Sequence, residues 1–107
     1  MIDREELELA AKAAGYKFFW DYDEHFAGSC ILDEDGFAFK WDPREDDGDA
    51  FRLMCALCLE PKPSATDGAA YCDGLYEKHD FAEIQTVAEA TRLVIVRAAA
   101  EIGRKMK

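Results

Sequence analysis

Four cysteines and two histidines are the side chains of this chain best suited to metal or redox chemistry. Cys55 and Cys58 are three residues apart, the spacing of a zinc knuckle or of a thioredoxin-type redox pair. A redox pair works at a helix N-terminus, where the dipole lowers the thiol pKa. Because Cys55 and Cys58 lie inside a predicted helix among apolar residues, redox chemistry is disfavoured.

A zinc site would need two further ligands in addition to the Cys55 and Cys58 pair. The remaining candidates are Cys30, Cys72, His25 and His79. They form no second closely spaced pair, so we interpret the cysteines as buried thiols and the histidines as surface residues. A small metal-binding protein is kept as an alternative, but we predict no cofactor.

No arrangement of residues predicts an enzyme. Neither histidine has a serine or cysteine placed near it as an activated nucleophile. The chain also has no phosphate-binding glycine loop, nucleophile elbow or metalloprotease helix. We therefore predict a protein without catalytic residues.

Acidic side chains are concentrated in the first half of the sequence. Residues 1–49 hold 15 acidic and 5 basic side chains, a net charge of −10, whereas residues 50–107 hold 8 of each. This field repels phosphate backbones, so direct binding of nucleic acid is disfavoured and a basic protein surface is the expected partner. The predicted partner-binding residues are Asp42, Glu45, Asp46, Asp47, Asp49 and the nearby aromatic Phe26.

A calcium loop does not fit these acidic residues. With Gly36 or Gly48 as the sixth residue of an EF-hand loop, Ile31 or Pro43 occupies the first ligand position, where a side-chain oxygen is required. A looser divalent-ion site on Asp46, Asp47 and Asp49 is the alternative to a solvated, helix-capping surface.

Length and hydropathy predict one domain without a membrane segment. A chain of 107 residues, half of them hydrophobic, is long enough to bury a single core. It has no uninterrupted apolar run of about 18 residues, and its acidic N-terminus does not resemble a signal peptide. We expect a cytoplasmic location, where cysteines stay reduced.

The first half of the chain predicts a helix followed by three antiparallel strands. Asp3 and Glu6 form a capping box for a helix over residues 3–14, which Gly15 can end in a left-handed conformation. Tyr16, Phe18, Trp20 and Tyr22 then alternate with other residues, as in a strand with one aromatic face. We interpret that face as core; the alternative is a binding surface that includes Trp41.

A hairpin is predicted at Asp35-Gly36. Residues 29–34 and 37–41 are predicted strands on either side of this dipeptide, which accepts the positive φ angles of a two-residue turn. Such a turn would place Leu32 opposite Phe39, and Cys30 opposite Trp41.

A second helix should begin at Asp46 or Asp47 and continue to about Glu60. Residues 53–59 are apolar on all sides, which predicts a helix covered on more than one side, either as the central helix or as an oligomer contact. Residues 61–68 cannot continue it. Residues 69–78 form either a short hairpin around Asp73-Gly74 or a loop.

The last helix begins at one of two competing capping boxes, at Asp80 or at Thr86, and extends to about Arg104. Its predicted apolar face consists of Val87, Val94, Ile95, Ala98, Ala99, Ile102 and Met106. Together these segments predict an α+β fold in the order α-β-β-β-α-(β-β)-α. A small antiparallel sheet of three or more strands would pack with three helices in a sandwich-like arrangement.

Residues 41–53 and 90–103 together resemble the uncharacterised small proteins of tailed phages and prophages that are grouped as a phage α-β-α sandwich (ABA-sandwich) domain. The resemblance extends loosely over the N-terminal helix and strands and hardly at all over residues 61–80. It implies a phage or prophage origin and a small sandwich-like fold, and it assigns no catalytic residue. Cys55, Cys58 and the Cys72 region depart from the pattern.

The expected function is that of a non-catalytic phage accessory protein, an acidic module that binds a host or phage protein with a basic surface. One version is an inhibitor of a host defence or nucleic-acid-handling protein, because an acidic surface can compete with DNA or RNA for a basic patch. The alternative is a self-associating structural protein that forms a homodimer through an apolar helix.

Overall fold

A computed structural model of the chain describes residues 4–22, 28–64, 69–72, 75–78 and 87–106. The elements in chain order are α1 (Arg4–Ala14), β1 (Lys17–Asp21), β2 (Gly28–Leu32), β3 (Ala38–Lys40), α2 (Asp47–Leu57), β4 (Lys62–Ser64), β5 (Ala69–Cys72), β6 (Leu75–Lys78) and α3 (Val87–Lys105). The predicted α+β class is confirmed, and β4 is an additional strand.

The described strands form two antiparallel sheets of three strands each, in the orders β1-β2-β3 and β4-β5-β6. The first sheet contains the three strands predicted from the first half of the chain. In the second, Cys72 pairs with Leu75, so residues 69–72 and 75–78 are the paired strands of the predicted hairpin alternative rather than a loop. The predicted turn at Asp73-Gly74 lies outside the described residues.

The hairpin between β2 and β3 has a three-residue loop, so the predicted register is wrong by one residue. The N–H of Asp33 donates to the carbonyl of Phe37 at 2.9 Å, and Ile31, not Leu32, lies opposite Phe39. Asp33 Oδ1 accepts the N–H groups of Asp35 and Phe37 at 2.9 and 2.8 Å. This side chain favours the longer loop, and Gly36 supplies its positive φ of 87°.

The aromatic face of the first sheet packs mainly against the core. Tyr16, Phe18 and Trp20 lie against the buried cluster, and Trp41 is only 2% exposed. Tyr16 meets Trp41 edge to face at 5.8 Å. The interpretation of these aromatics as core is confirmed, except for Tyr22, which is largely exposed.

Helix α2 begins as predicted and ends earlier than predicted. Asp46 is the N-cap, and its side chain accepts the N–H of Asp49. The helix ends at Leu57 rather than near Glu60, because Cys58 adopts a left-handed conformation with φ 53°. The N–H of Leu59 then donates to the carbonyl of Met54 at 3.0 Å, which closes the helix and turns the buried Leu59 inward.

The prediction that α2 is covered on more than one side is wrong within this chain. Ala50 and Leu53 are buried, but Phe51 is 59% exposed and Cys55 is also exposed. The central helix is α3, which contacts α1, α2 and all three strands of the second sheet. Residues 93–96 and 98–100 of α3 are all buried.

Small residues let α1 approach α3 closely. A Cβ on Gly103 would lie 2.0 Å from the carbonyl oxygen of Leu9, so the two backbones are in direct contact. The predicted apolar face of α3 is buried at its centre, but Ile102 and Met106 are partly exposed. The described part of the helix starts at Val87, and the two predicted starts, Asp80 and Thr86, lie outside the described residues. No helix in the described ranges is both long enough and apolar enough to cross a membrane.

Candidate functional site: an acidic segment beside an aromatic groove

Residues 42–49, called the acidic segment below, run from the end of β3 into the first turn of α2 and contain five of the six predicted binding residues. Buried side chains at Trp41 and Pro43 fix the start of the segment. The carbonyl of Asp42 accepts the N–H groups of Glu45 and Asp46 at 3.1 and 2.9 Å. These bonds form a tight turn that leads directly into the N-terminus of α2.

Asp49 stabilises the segment from inside and is only 8% exposed. Its Oδ2 accepts the backbone N–H of Asp42 at 2.9 Å, and its Oδ1 accepts a hydrogen bond from the guanidinium of Arg52 at 2.7 Å. Its own N–H donates to Asp46 at 2.8 Å. This carboxylate therefore closes the loop onto the helix and is not presented to solvent.

Asp42 is also engaged within the fold, because it binds Arg44 through both carboxylate oxygens. The Nε and one terminal nitrogen of Arg44 lie 2.8 and 3.0 Å from the two oxygens. This bidentate geometry is among the stronger side-chain interactions in proteins. The hydrogen bonds that Asp42 accepts from the guanidinium raise the pKa of Arg44, and they outweigh burial, which lowers it.

Arg92 joins the acidic segment to the central helix. Its Nε donates to the carbonyl of Arg44 at 2.8 Å, and a terminal nitrogen donates to Oδ1 of Asp47 at 2.7 Å. Arg92 is itself mostly buried. The segment is thus attached to α3 as well as to the start of α2.

Three of the five predicted carboxylates face solvent. Glu45 is exposed, and the side chains of Asp46 and Asp47 are 58% and 82% exposed. Three arginines contact the segment, so its local charge is less negative than its acidic residues alone indicate. Phe26, the sixth predicted binding residue, lies outside the described residues.

A groove of about 870 Å³ lies between the inner face of the first sheet and the start of α2. We call it the sheet groove. Tyr16, Ile31, Phe39 and Trp41 contribute apolar surface to it, and Asp33, Glu34, Lys17, Lys40, Asp49 and Arg52 contribute charge. Asp49 belongs to the acidic segment and also lines the groove. Arg52, which donates to Asp49, lines the groove as well. The groove and the acidic segment are therefore adjacent.

The cysteines do not share one environment. Cys30 is buried, and burial together with the Asp21 carboxylate raises the pKa of its thiol. Cys55 and Cys58 are exposed at the end of α2. The prediction of buried thiols is confirmed for Cys30 and wrong for this pair. The side chain of Cys72 is not among those described.

The metal-site alternatives find no support among the described side chains. In that part of the chain, no three His, Cys, Asp or Glu residues are arranged to hold a metal ion. The oxygens of Asp46 and Asp49 instead accept hydrogen bonds from backbone N–H groups and arginine. His25 and His79 lie outside the described residues.

Several residues that shape the site were not identified from the sequence. Arg52 follows Asp49 by three residues on α2, a spacing at which helical side chains meet, so this pair was detectable. The contact of Arg92 with residues 44 and 47 joins distant parts of the chain, and no local pattern indicates it. The exposure of Phe39 beside the groove depends on the hairpin register, which was predicted one residue out.

Comparisons of this chain with protein-family models, with curated proteins and with solved structures give no match.

Proposed function

We propose that this chain is a non-catalytic, acidic protein-binding module that recognises a basic surface on a host or phage protein in the cytoplasm. The observation that carries the proposal is the outward presentation of Glu45, Asp46 and Asp47 on a segment attached to the core by Asp49 and Arg92. Because this backbone is already ordered, binding would lose little conformational entropy there. The phage or prophage origin rests on the resemblance of residues 41–53 and 90–103.

The exposed carboxylates would act mainly on the rate and specificity of association. Surface charges attract an oppositely charged partner over about 10 Å at 0.1 M salt and are screened at higher ionic strength. Arg92 offsets part of the charge of Asp47, and Arg52, 3.9 Å from Asp46, offsets part of the charge of that carboxylate. An inhibitor of a host defence or nucleic-acid-handling protein is the concrete version of this function, since the same patch on the partner would bind phosphates.

Affinity capture from the bacterial host tests the proposal. The immobilised chain should retain a partner that is lost from the variant Glu45→Lys/Asp47→Lys and that dissociates as salt is raised. The matched control is Glu8→Lys/Glu60→Lys, because both glutamates are exposed and the change in net charge is the same. Asp46 and Asp49 stay unchanged, since they cap the helix and hold the loop. A partner retained equally by both variants, or unaffected by molar salt, contradicts electrostatic recognition.

Self-association through α2 is the second candidate function. Phe51 is 59% exposed, and it borders a groove of about 400 Å³ together with Met54, Pro61 and Ile95. A second copy that covered this face would bury the apolar side of α2 that this chain leaves open. Light scattering at micromolar concentration should then give a dimer that Phe51→Ser dissociates; a monomeric wild-type chain would eliminate this function.

A further inference from the structure

Strand β3 is an edge strand of the first sheet, and the pattern of its hydrogen bonds to β2 shows which of its backbone groups point away from the sheet. Asp33 bonds to Phe37, and Trp41 bonds to Ser29 at 3.0 Å. In an antiparallel pair these bonded positions alternate, so Phe39 also bonds toward β2. The N–H and C=O groups of Ala38 and Lys40 therefore point away from β2, and no described strand pairs with β3 on that side.

The sheet groove runs beside this edge on the inner face of the sheet. Phe39 is 50% exposed there, although it lies on the same face as Ile31 and the partly buried Phe18. A strand added next to β3 would place every second side chain on this face, opposite Phe39. The groove therefore has room and apolar surface for alternate side chains of an extended segment.

Acidic residues lie at both ends of β3. The hairpin loop before the strand contains Glu34 and Asp35, which are exposed. The acidic segment after the strand presents Glu45, Asp46 and Asp47. Because β3 has three residues and spans about 10 Å, an extended segment of seven to nine residues would carry its ends past the strand toward these carboxylates.

We propose that β3 accepts an extended segment of the partner protein as a fourth, antiparallel strand. The segment has apolar residues at alternate positions over the sheet groove and lysine or arginine at both ends. Backbone hydrogen bonds to Ala38 and Lys40 supply affinity, and the groove and the two acidic ends supply specificity. This inference rests on the proposed function, because it specifies how a basic partner is bound.

A synthetic peptide with the sequence Lys-Lys-Thr-Leu-Thr-Leu-Thr-Lys-Lys, labelled with fluorescein, tests this geometry by fluorescence anisotropy. Its two leucines would face the groove, one of them directly opposite Phe39. Two of its three threonines would lie opposite Ala38 and Lys40 and exchange hydrogen bonds with them. N-methylation of the threonine amides should weaken binding about tenfold or more, as expected for the loss of one or two hydrogen bonds. N-methylation of the leucine amides, which point to solvent, should leave affinity unchanged.

The protein side is tested with Ala38→Pro, which removes an outward N–H without breaking the bonds between β2 and β3. Ala38→Ser is the control that retains the donor, and circular dichroism verifies that both variants fold. We expect Ala38→Pro to weaken peptide binding about tenfold and Ala38→Ser to bind as the wild type does. The peptide series changes nothing in the protein, so it decides the question even if Ala38→Pro fails to fold.

The variant Glu45→Lys/Asp47→Lys separates this inference from the proposed function. The edge changes are N-methylation of the threonine amides and Ala38→Pro, and the charge changes are Glu45→Lys/Asp47→Lys. If both kinds of change weaken peptide binding, strand addition and acidic recognition are both supported. Weaker binding from the charge changes alone overturns strand addition and leaves the acidic surface as the binding site. Weaker binding from the edge changes alone supports strand addition and contradicts electrostatic recognition. No binding of the unmodified peptide at 1 mM, or binding that none of these changes weakens, overturns the inference.

Discussion

Replacing Asp49 by alanine tests whether this carboxylate shapes the acidic segment rather than contacting a partner. The change leaves the N–H of Asp42 without its acceptor, which costs about 1–3 kcal/mol for a donor removed from water. Loss of the Arg52 contact adds at most about 1 kcal/mol, because Arg52 is 66% exposed. We expect Asp49→Ala to lower the free energy of unfolding by about 2–3 kcal/mol.

Asp47→Ala is the matched control, since it removes the same side chain two residues earlier. Asp47 is 82% exposed, so its ion pair with Arg92 should contribute about 0–1 kcal/mol. Asp49→Asn retains an acceptor oxygen and should lie between the two alanine variants.

Urea unfolding at pH 7, followed by circular dichroism and extrapolated to zero denaturant, measures these differences. If Asp49→Ala and Asp47→Ala lower the free energy of unfolding by amounts that agree to within about 0.5 kcal/mol, Asp49 is not an internal support. The acidic segment would then be held by its other contacts, such as those with Arg92.

Three further predictions concern the core, the end of α2 and the thiols. Gly103→Ala should lower the free energy of unfolding by about 3 kcal/mol in a denaturant titration, since its methyl group would overlap the carbonyl of Leu9. Ala99→Gly, at a buried position one turn earlier on α3, is the comparison that removes a methyl group instead of adding one. Cys58→Gly should raise that free energy by about 1 kcal/mol, because glycine adopts φ 53° without strain; unchanged or reduced stability would contradict this. Alkylation mapped by mass spectrometry should modify Cys55 well before Cys30 at pH 8. Because burial raises the pKa of Cys30 in the folded chain, unfolding releases a proton above the ordinary thiol pKa of 9.0, and the free energy of unfolding declines as the pH rises above that value. Cys30→Ala should reduce this alkaline loss of stability.

Local patterns in the sequence were sufficient to predict the elements of the first half of the fold. The capping box, the alternation of aromatics and the acidic helix start each depend on residues within a few positions of one another, and α1, β1 and the Asp46 cap followed from them. The hairpin loop was predicted one residue too short because the side chain of Asp33 bonds to the backbone of residues 35 and 37. That interaction competes with the two-residue turn favoured by Asp-Gly.

The positions of α2 and α3 in the core were not predictable from hydropathy alone. Residues 53–59 are the more continuous apolar run, yet α2 leaves Phe51 and Cys55 exposed. The alanines of α3 are less hydrophobic, but their small size lets α1 and the second sheet approach on several sides. The sequence also shows the acidic residues, but it does not show which of them bond within the fold and which face solvent. That difference depends on Arg92 and on the folded loop.

The pairing of α1 with α3 has a consequence for synthesis in the cell. Lys12, near the end of α1, donates to the carbonyl of Met106, which follows α3. The two helices pack against each other but lie far apart in the sequence, so translation produces α1 well before α3. Until α3 has left the ribosome, the apolar side of α1 that packs against it has no permanent cover. The nascent chain therefore leaves this apolar surface open until α3 has been made.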